Sequence, residues 1–256
     1  MFRNIQCRPT QEFNGILGVY YKEMLLLRNR FIRRLLSSMV SPALFLAAFG
    51  YGLGRGQSID GLRYLDYLFA GLLAMSTLNA CYGISTEINI ARFYFKIFDE
   101  YLIAPIPRWH IVAGETFYGI TKGAVTVIVF LLFAFIVKIN LHITPVFLIF
   151  LLAHMTLFSL LGFIVALRAK HHADQFVINT FLITPMTFLS GVFFPLEHGP
   201  VVFQWIMQLS PLTHTVALMR SSLTGGLING VNIVALCVFL ILFFGLALRF
   251  AKKCEG

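Results

Sequence analysis

Apolar positions in this chain run in long unbroken blocks. The blocks fall at Leu35–Leu53, Leu65–Thr86, Gly114–Val137, Thr144–Leu167, Phe176–Phe194 and Val231–Phe250. A helix needs about 20 apolar residues to cross the hydrocarbon core of a bilayer, and each block is close to that length. The pattern predicts six transmembrane helices. Before the first block the pattern changes, and Phe13, Ile16, Leu17, Tyr20, Met24, Leu27 and Phe31 recur at helical spacing with Glu12, Lys22 and Glu23 between them. That predicts an amphipathic helix over residues 10–34, lying in the membrane interface and leading into the Arg28–Arg34 cluster.

Composition removes the soluble alternative. Hydrophobic residues make up 58% of the 256 and charged residues 12%, where soluble domains carry about 25% charge. The six blocks and their connections use up the chain, so the expectation is one transmembrane domain over residues 1–256, with the bundle at 35–250. The polar stretch before the first block is too long for a cleavable signal peptide. Cys7, Cys81, Cys237 and Cys254 are far apart and have no metal-ligand or disulfide-framework spacing.

Charge then orients the bundle. With the N-terminus inside, fifteen Lys and Arg fall on cytoplasmic segments and four (Arg55, Arg63, Lys138, Arg220) fall outside, with Lys122 left within a span. Both termini are therefore expected in the cytoplasm. The net charge of +9 reads as topology and contact with anionic lipid. No basic module stands apart from the spans to bind nucleic acid.

Two connections are more than plain loops. Asn89–Ile103 carries charge and precedes a Pro105-Ile106-Pro107 stop, which predicts a short cytoplasmic helix ending at Ala104. Pro195–Gly230 is external yet mostly apolar and is broken by Pro200 and Pro211. Short interfacial or re-entrant helices fit it better than a water-soluble loop.

Candidate chemistry is sparse, and no catalytic or metal site emerges. The chain has no Gly-x-x-x-x-Gly-Lys-Ser/Thr loop to hold ATP phosphates. The Gly50–Gly56 run ends a span and does not follow the dinucleotide pattern. His171-His172-x-Asp174 reads as a solvated turn, since its spacing matches no zinc site. His154, in mid-span, reads as a helix–helix hydrogen bond. Charges within spans are more informative, because each costs about 2.5–3.5 kcal/mol at a span centre. Glu115 and Lys122 are seven apart, on one face of span three, and Glu87 closes span two on the same side. A structural bundle-facing pair and a place in a coupling path both remain open for Glu115 and Lys122.

Several stretches resemble one family along most of the chain. They are Gly71-Leu72-Leu73-Ala74, Phe98-Asp99-Glu100-Tyr101-Leu102-Ile103-Ala104-Pro105-Ile106-Pro107, Gly114-Glu115, Thr121-Lys122, Ile183 through Leu196, Ser210-Pro211-Leu212-Thr213-His214, and Arg220. Together they resemble the membrane subunit of a type-2 ATP-binding-cassette exporter, and most closely the permease type that exports lipo-oligosaccharide nodulation signals.

The resemblance implies a bacterial inner-membrane permease, a homodimer by expectation, docked on two copies of a cytoplasmic ATPase. This chain would bind no cofactor, and ATP and Mg would be held by the ATPase. Phe98, Asp99, Glu100, Tyr101, Leu102, Ala104 and Pro105 would form the segment on which the ATPase pushes. Spans two and five would face their dimer mates. Pro185 and Gly191 in span five mark either a gate or a structural kink. Asn79, Tyr82, Phe181 and Phe188 are the candidate substrate-facing side chains. The cargo implied is an amphipathic, lipid-linked, glycan or drug-like compound leaving the cytoplasm or inner leaflet. Rival readings are a secondary carrier, a membrane-embedded lipid-modifying enzyme and a structural assembly protein. The first is opposed by the lack of matching repeats and the second by the lack of an Asp/His cluster at a membrane face.

Overall fold

A computed structural model describes residues 9–28, 40–54, 56–59, 61–96, 106–139, 142–195 and 200–253. The described residues are mostly helical. Four helical stretches among the described residues are long and apolar enough to cross a membrane: Tyr64–Phe93, Arg108–Val137, Pro145–Arg168 and Gly230–Lys252. At 1.5 Å per residue the longer ones reach roughly 45 Å, beyond a hydrocarbon core of about 30 Å.

The amphipathic N-terminal pattern forms α1 (Pro9–Arg28). Residues 29–34, the rest of the helix expected there, lie outside the described residues. The described part of the first apolar block is α2 (Val40–Gly50), which winds on as a π-helix over Leu46–Leu53. A short hairpin, Ser58–Ile59 with Leu62–Arg63, leads into the second block.

That block forms α3 (Tyr64–Tyr82) and α4 (Ile84–Phe93), with Gly83 at the joint. Of the short helix expected over Asn89–Ile103, only residues 89–96 are described, and residues 97–103 lie outside the described residues. Asn89 is fully buried within α4, the helix ends at Phe93, and Lys96 turns to a left-handed φ of 53°.

Block three gives α5 (Arg108–Val137), which starts directly after Pro107. Block four gives α6 (Pro145–Arg168). Its start is dictated locally: Thr144 accepts a hydrogen bond from the Phe147 N–H at 3.1 Å, and Pro145 occupies the first turn, where its missing N–H costs nothing.

Block five is one continuous helical stretch, His172–Leu189, that widens in its middle. It runs through α7 (His172–Ile178), a π-helical turn (Asn179–Ile183) and α8 (Thr184–Leu189), and the chain leaves the helix before Gly191. Pro185 lacks the N–H an α-helix interior requires, and the wider π turn just before it gives the chain a way to accommodate that loss. The segment expected to lie outside the membrane then forms α9 (Val201–Gln208) and α10 (Pro211–Thr224), and block six forms α11 (Gly230–Lys253).

The centre of the bundle is α3. Leu68, Phe69, Leu72, Leu73 and Leu78 are fully buried, and the helix packs against α5, α6 and α10. A helix apolar on all sides suits that place. α10 is also largely buried, with Leu212, Met219 and Leu223 at 0% exposure, so it enters the bundle. α11 is peripheral and shows Val234, Ile241 and Phe244 outward, as expected of a face turned to hydrocarbon. α1 lies along α5, where Gly114 makes the approach possible: a Cβ there would stand 2.7 Å from Val19 Cβ.

Candidate functional site

Among the described residues, three groups of polar side chains bear on the candidate site, and each joins different helices. The first is ionic. Lys122 Nζ on α5 lies 3.2 Å from Glu87 Oε1 on α4, and both side chains are mostly buried. The same ammonium stands 5.6 Å from the centre of the Tyr118 ring. Glu115, on the same face of α5, is almost wholly buried, and its Oε2 makes no hydrogen bond among the described residues. The charges that act on it are Glu23 and Lys22 from α1, Glu87 from α4 and Lys122 from its own helix. Lys22 and Glu23 are 3.0 Å apart, and one turn along, Tyr20 Oη is 3.1 Å from Thr121 Oγ1. Glu115 and Lys122 thus share a face, but Lys122 makes its ion pair with span two while Glu115 faces α1.

The second place is a polar seam between spans two and five. Tyr82 Oη donates to Asn179 Oδ1 at 2.6 Å. One turn below, Asn89 Nδ2 donates to Gln175 Oε1 at 2.8 Å, and Gln175 Nε2 donates to Ser85 Oγ and Thr86 Oγ1 at 2.8 and 2.7 Å. Gln175 and Asn89 are both buried. Asn179 also begins the π turn, and its carbonyl accepts from Thr184 Oγ1 at 3.1 Å. Tyr82 is therefore engaged with span five.

The third is the turn after span five. Gly191 has φ 73°, a conformation that glycine reaches without steric cost. Its carbonyl accepts from Arg220 Nη2 at 2.8 Å and from Tyr67 Oη at 3.1 Å, while the Arg220 guanidinium sits 3.5 Å over the Tyr67 ring. Tyr64 Oη holds the Phe193 carbonyl at 3.0 Å. The Phe193 ring packs against Phe45, Phe49 and Phe188 with centroids 5.2–5.5 Å apart. Arg220 on α10 and two tyrosines on α3 thereby fix the irregular chain, and an aromatic group closes it toward α2.

Phe188 and Phe181 are exposed on the outer side of span five, together with Thr180, Thr184 and Pro185, and Asn79 is exposed on α3. Phe98, Asp99, Glu100, Tyr101, Leu102, Ala104 and Pro105 lie outside the described residues. His171 and Asp174 form a capped turn: Asp174 Oδ2 accepts from the backbone N–H groups of Lys170 and His171 at 2.9 and 3.0 Å, which holds its carboxyl below the usual carboxylate range. No group of His, Cys, Asp and Glu suited to a metal occurs among the described residues. His154 Nε2 is 3.1 Å from both the Ala74 carbonyl and Thr77 Oγ1, which makes it a buried tie between α6 and α3.

Sequence reasoning missed the seam and the contact of Glu115 with α1. The seam had a signal. Tyr82, Ser85, Thr86 and Asn89 follow one another at helical spacing, as do Gln175 and Asn179, so each set forms a polar stripe on one side of its helix. Lys22 and Glu23 had none beyond amphipathicity, because nothing in one helix's pattern says which span it will lie against.

Buried polar ties, exposed apolar helix faces and several membrane-length helices define a polytopic α-helical membrane protein. The family model for the ABC-2 type transporter matches residues 17–224. The chain belongs to that family. It is similar to Inner membrane transport permease YadH of Escherichia coli (strain K12), at 29% identity over 249 residues, covering 94% of this chain and 96% of the relative. It is also similar to Nodulation protein J of Rhizobium leguminosarum bv. viciae, 29% identical over 238 residues and covering 89% and 90% of the two chains. Nodulation protein J of Sinorhizobium fredii (strain NBRC 101917 / NGR234) is 28% identical over 251 residues, covering 96% and 95%.

Proposed function

We propose that this chain is the transmembrane subunit of an ATP-driven exporter in a bacterial inner membrane, moving an amphipathic, lipid-linked, glycan or drug-like compound outward. Two copies form the permease, each a single domain with six spans and both termini in the cytoplasm, and two ATPase subunits bind ATP and Mg. The observation that carries the reading is the exposed face of span five with Asn79. Asn79 on α3, and Thr180 and Thr184 with Phe181 and Phe188 on span five, are exposed on apolar helices. An amide facing hydrocarbon is costly, so such a face turns toward protein or a pathway.

ATP-driven closure of the ATPases pushes the segment Phe98–Pro105. The motion enters α4, where Glu87 passes it to Lys122 on span three, and the seam at Tyr82 and Gln175 passes it to span five. The π turn and Pro185 give span five a place to bend, and Gly191, held by Arg220, lies at the external end of that movement. Membership of the ABC-2 type transporter family and the relatives named permease and nodulation protein support this reading.

The test is whether the reading frame adjacent to this chain's encodes a P-loop ATPase, followed by co-expression with that ATPase, purification, and ATP-dependent uptake of candidate lipids, glycans and drugs into inside-out vesicles. Co-purification with ATP-dependent uptake is the expected result. A chain that binds no ATPase, or that transports on an ion gradient alone, overturns the reading.

A further inference from the structure

Between α1 and α5 the surface opens into two adjoining hollows that meet at Thr121. The smaller, of about 330 Å³, is lined by Leu17, Tyr20, Phe117 and Ile120. The larger, of about 520 Å³, is lined by Met24, Leu25, Val125 and, at its edge, Arg28. Both fall within the 300–1,000 Å³ usual for small-molecule sites. Their walls are apolar, and Leu17, Tyr21, Leu25 and Phe117 remain exposed. The polar groups at the floor are the paired hydroxyls of Tyr20 and Thr121.

Charge identifies the occupant. Arg28 is exposed in the last turn of α1, and Arg30, Arg33 and Arg34 follow in the sequence. An apolar slot with an arginine at its edge matches a molecule with a hydrocarbon chain and an anionic head. At a cytoplasmic leaflet that molecule is an anionic phospholipid, because basic side chains beside such a leaflet attract its headgroups. We propose that the α1–α5 groove binds one acyl chain of an anionic phospholipid from the cytoplasmic leaflet, with its headgroup at Arg28. The bound lipid wedges between α1 and span three, next to the Lys22, Glu23 and Glu115 charges. The proposal uses the inside orientation of α1 but does not require that the chain export anything.

The test is native mass spectrometry of the purified full chain in detergent, titrated with palmitoyl-oleoyl phosphatidylglycerol or with the phosphatidylcholine of the same chains. The expected result is one phosphatidylglycerol retained in preference to phosphatidylcholine. Arg28→Gln should weaken that retention about fivefold, the effect of one basic side chain at an anionic surface. Thr121→Trp, which fills the junction of the hollows, should abolish it. Leu17→Trp, at the exposed rim, serves the same purpose if Thr121→Trp does not fold. Leu148→Trp on the exposed side of α6 should leave retention unchanged. Equal retention of the two lipids, or retention that survives both groove-filling variants, overturns the proposal. Because the readout is lipid binding, its failure leaves the transport assay to decide the exporter reading separately.

Discussion

Lys122 Nζ stands 3.2 Å from Glu87 Oε1 and so ties span three to span two inside the bundle. Removing one member of a buried ion pair leaves the other charge uncompensated, at a cost of about 3–5 kcal/mol. Lys122→Met and Glu87→Gln should each lower thermal stability in detergent, with Lys122→Met the worse of the two because it also leaves Glu115 facing an added negative balance. Exchanging the pair, Glu87→Lys with Lys122→Glu, should recover most of the lost stability. Recovery of melting temperature without recovery of transport would mark the pair as part of the coupling path. Full recovery of both would leave it a structural tie, and an exchange no better than the single variants would show that the contact does not govern stability.

The seam between spans two and five makes a different prediction. If span five moves against span two during transport, the Tyr82–Asn179 contact must part in each cycle. Tyr82→Cys with Asn179→Cys, in a chain freed of its own four cysteines, should be arrested by a short bifunctional thiol cross-linker and released by reversing it. Uptake by inside-out vesicles reads the effect. Undiminished uptake at full cross-linking would mean that these spans move as one body. Tyr82→Phe removes only the hydrogen bond, and interhelical bonds of this kind contribute about 0.6 kcal/mol on average in membranes, so its yield should stay near that of the parent chain.

Arg220 holds the Gly191 carbonyl while stacking on Tyr67. A lysine there would keep the charge and lose the planar stack and the fixed fork of donors, so Arg220→Lys is not a conservative change. Stability should fall by about 1–2 kcal/mol, the range of a partly desolvated cation–π contact with its hydrogen bond. Limited proteolysis should show the chain around Gly191–Pro195 cut faster. An unchanged digestion pattern would mean that Tyr64 and Tyr67 hold the turn without help.

Asp174 carries a pH dependence with a definite sign. Its carboxyl is held below its ordinary value by the N–H groups of Lys170 and His171. The stabilisation is therefore present above the unfolded value, about 3.9, and is lost as pH falls through the lower folded one. Asp174→Ala should melt below the parent chain at pH 7, and the gap should close in strong acid. A gap that persists there would assign the effect to packing.

Much of the fold was legible because burial in a membrane is written in length. The blocks at Gly114–Val137, Thr144–Leu167 and Val231–Phe250 appear as α5, α6 and α11 with ends shifted by a few residues, since an apolar run of that length has few other places to go. The π turn in span five was not legible from hydropathy, which does not mark Asn179–Ile183. It depends on local backbone geometry before Pro185 and on the bonds that Asn179 makes with Tyr82 and Thr184. At the candidate site, helical spacing was enough to put Glu115 and Lys122 on one face. Only the packing of α1 and α4 against α5 shows that they look toward different helices.

Charge on the segment between α4 and α5 gives the last prediction. Asp99 and Glu100 precede Pro105 and Pro107 on the stretch expected to receive the ATPase. Reversing both, Asp99→Lys with Glu100→Lys, places two cations where the partner would meet two anions. Like charges brought together at a contact cost several kcal/mol and suppress association. Because the spans are held by buried contacts remote in sequence from this segment, such as Thr77 with His154 and Asn89 with Gln175, the variant should insert and melt as the parent does. Co-purified ATPase should fall by tenfold or more, since each 1.4 kcal/mol is a factor of ten, and ATP-driven uptake should fall with it. A variant that keeps its ATPase and full transport would remove Asp99 and Glu100 from the docking surface. One that fails to insert would show instead that this segment is needed to complete the fold.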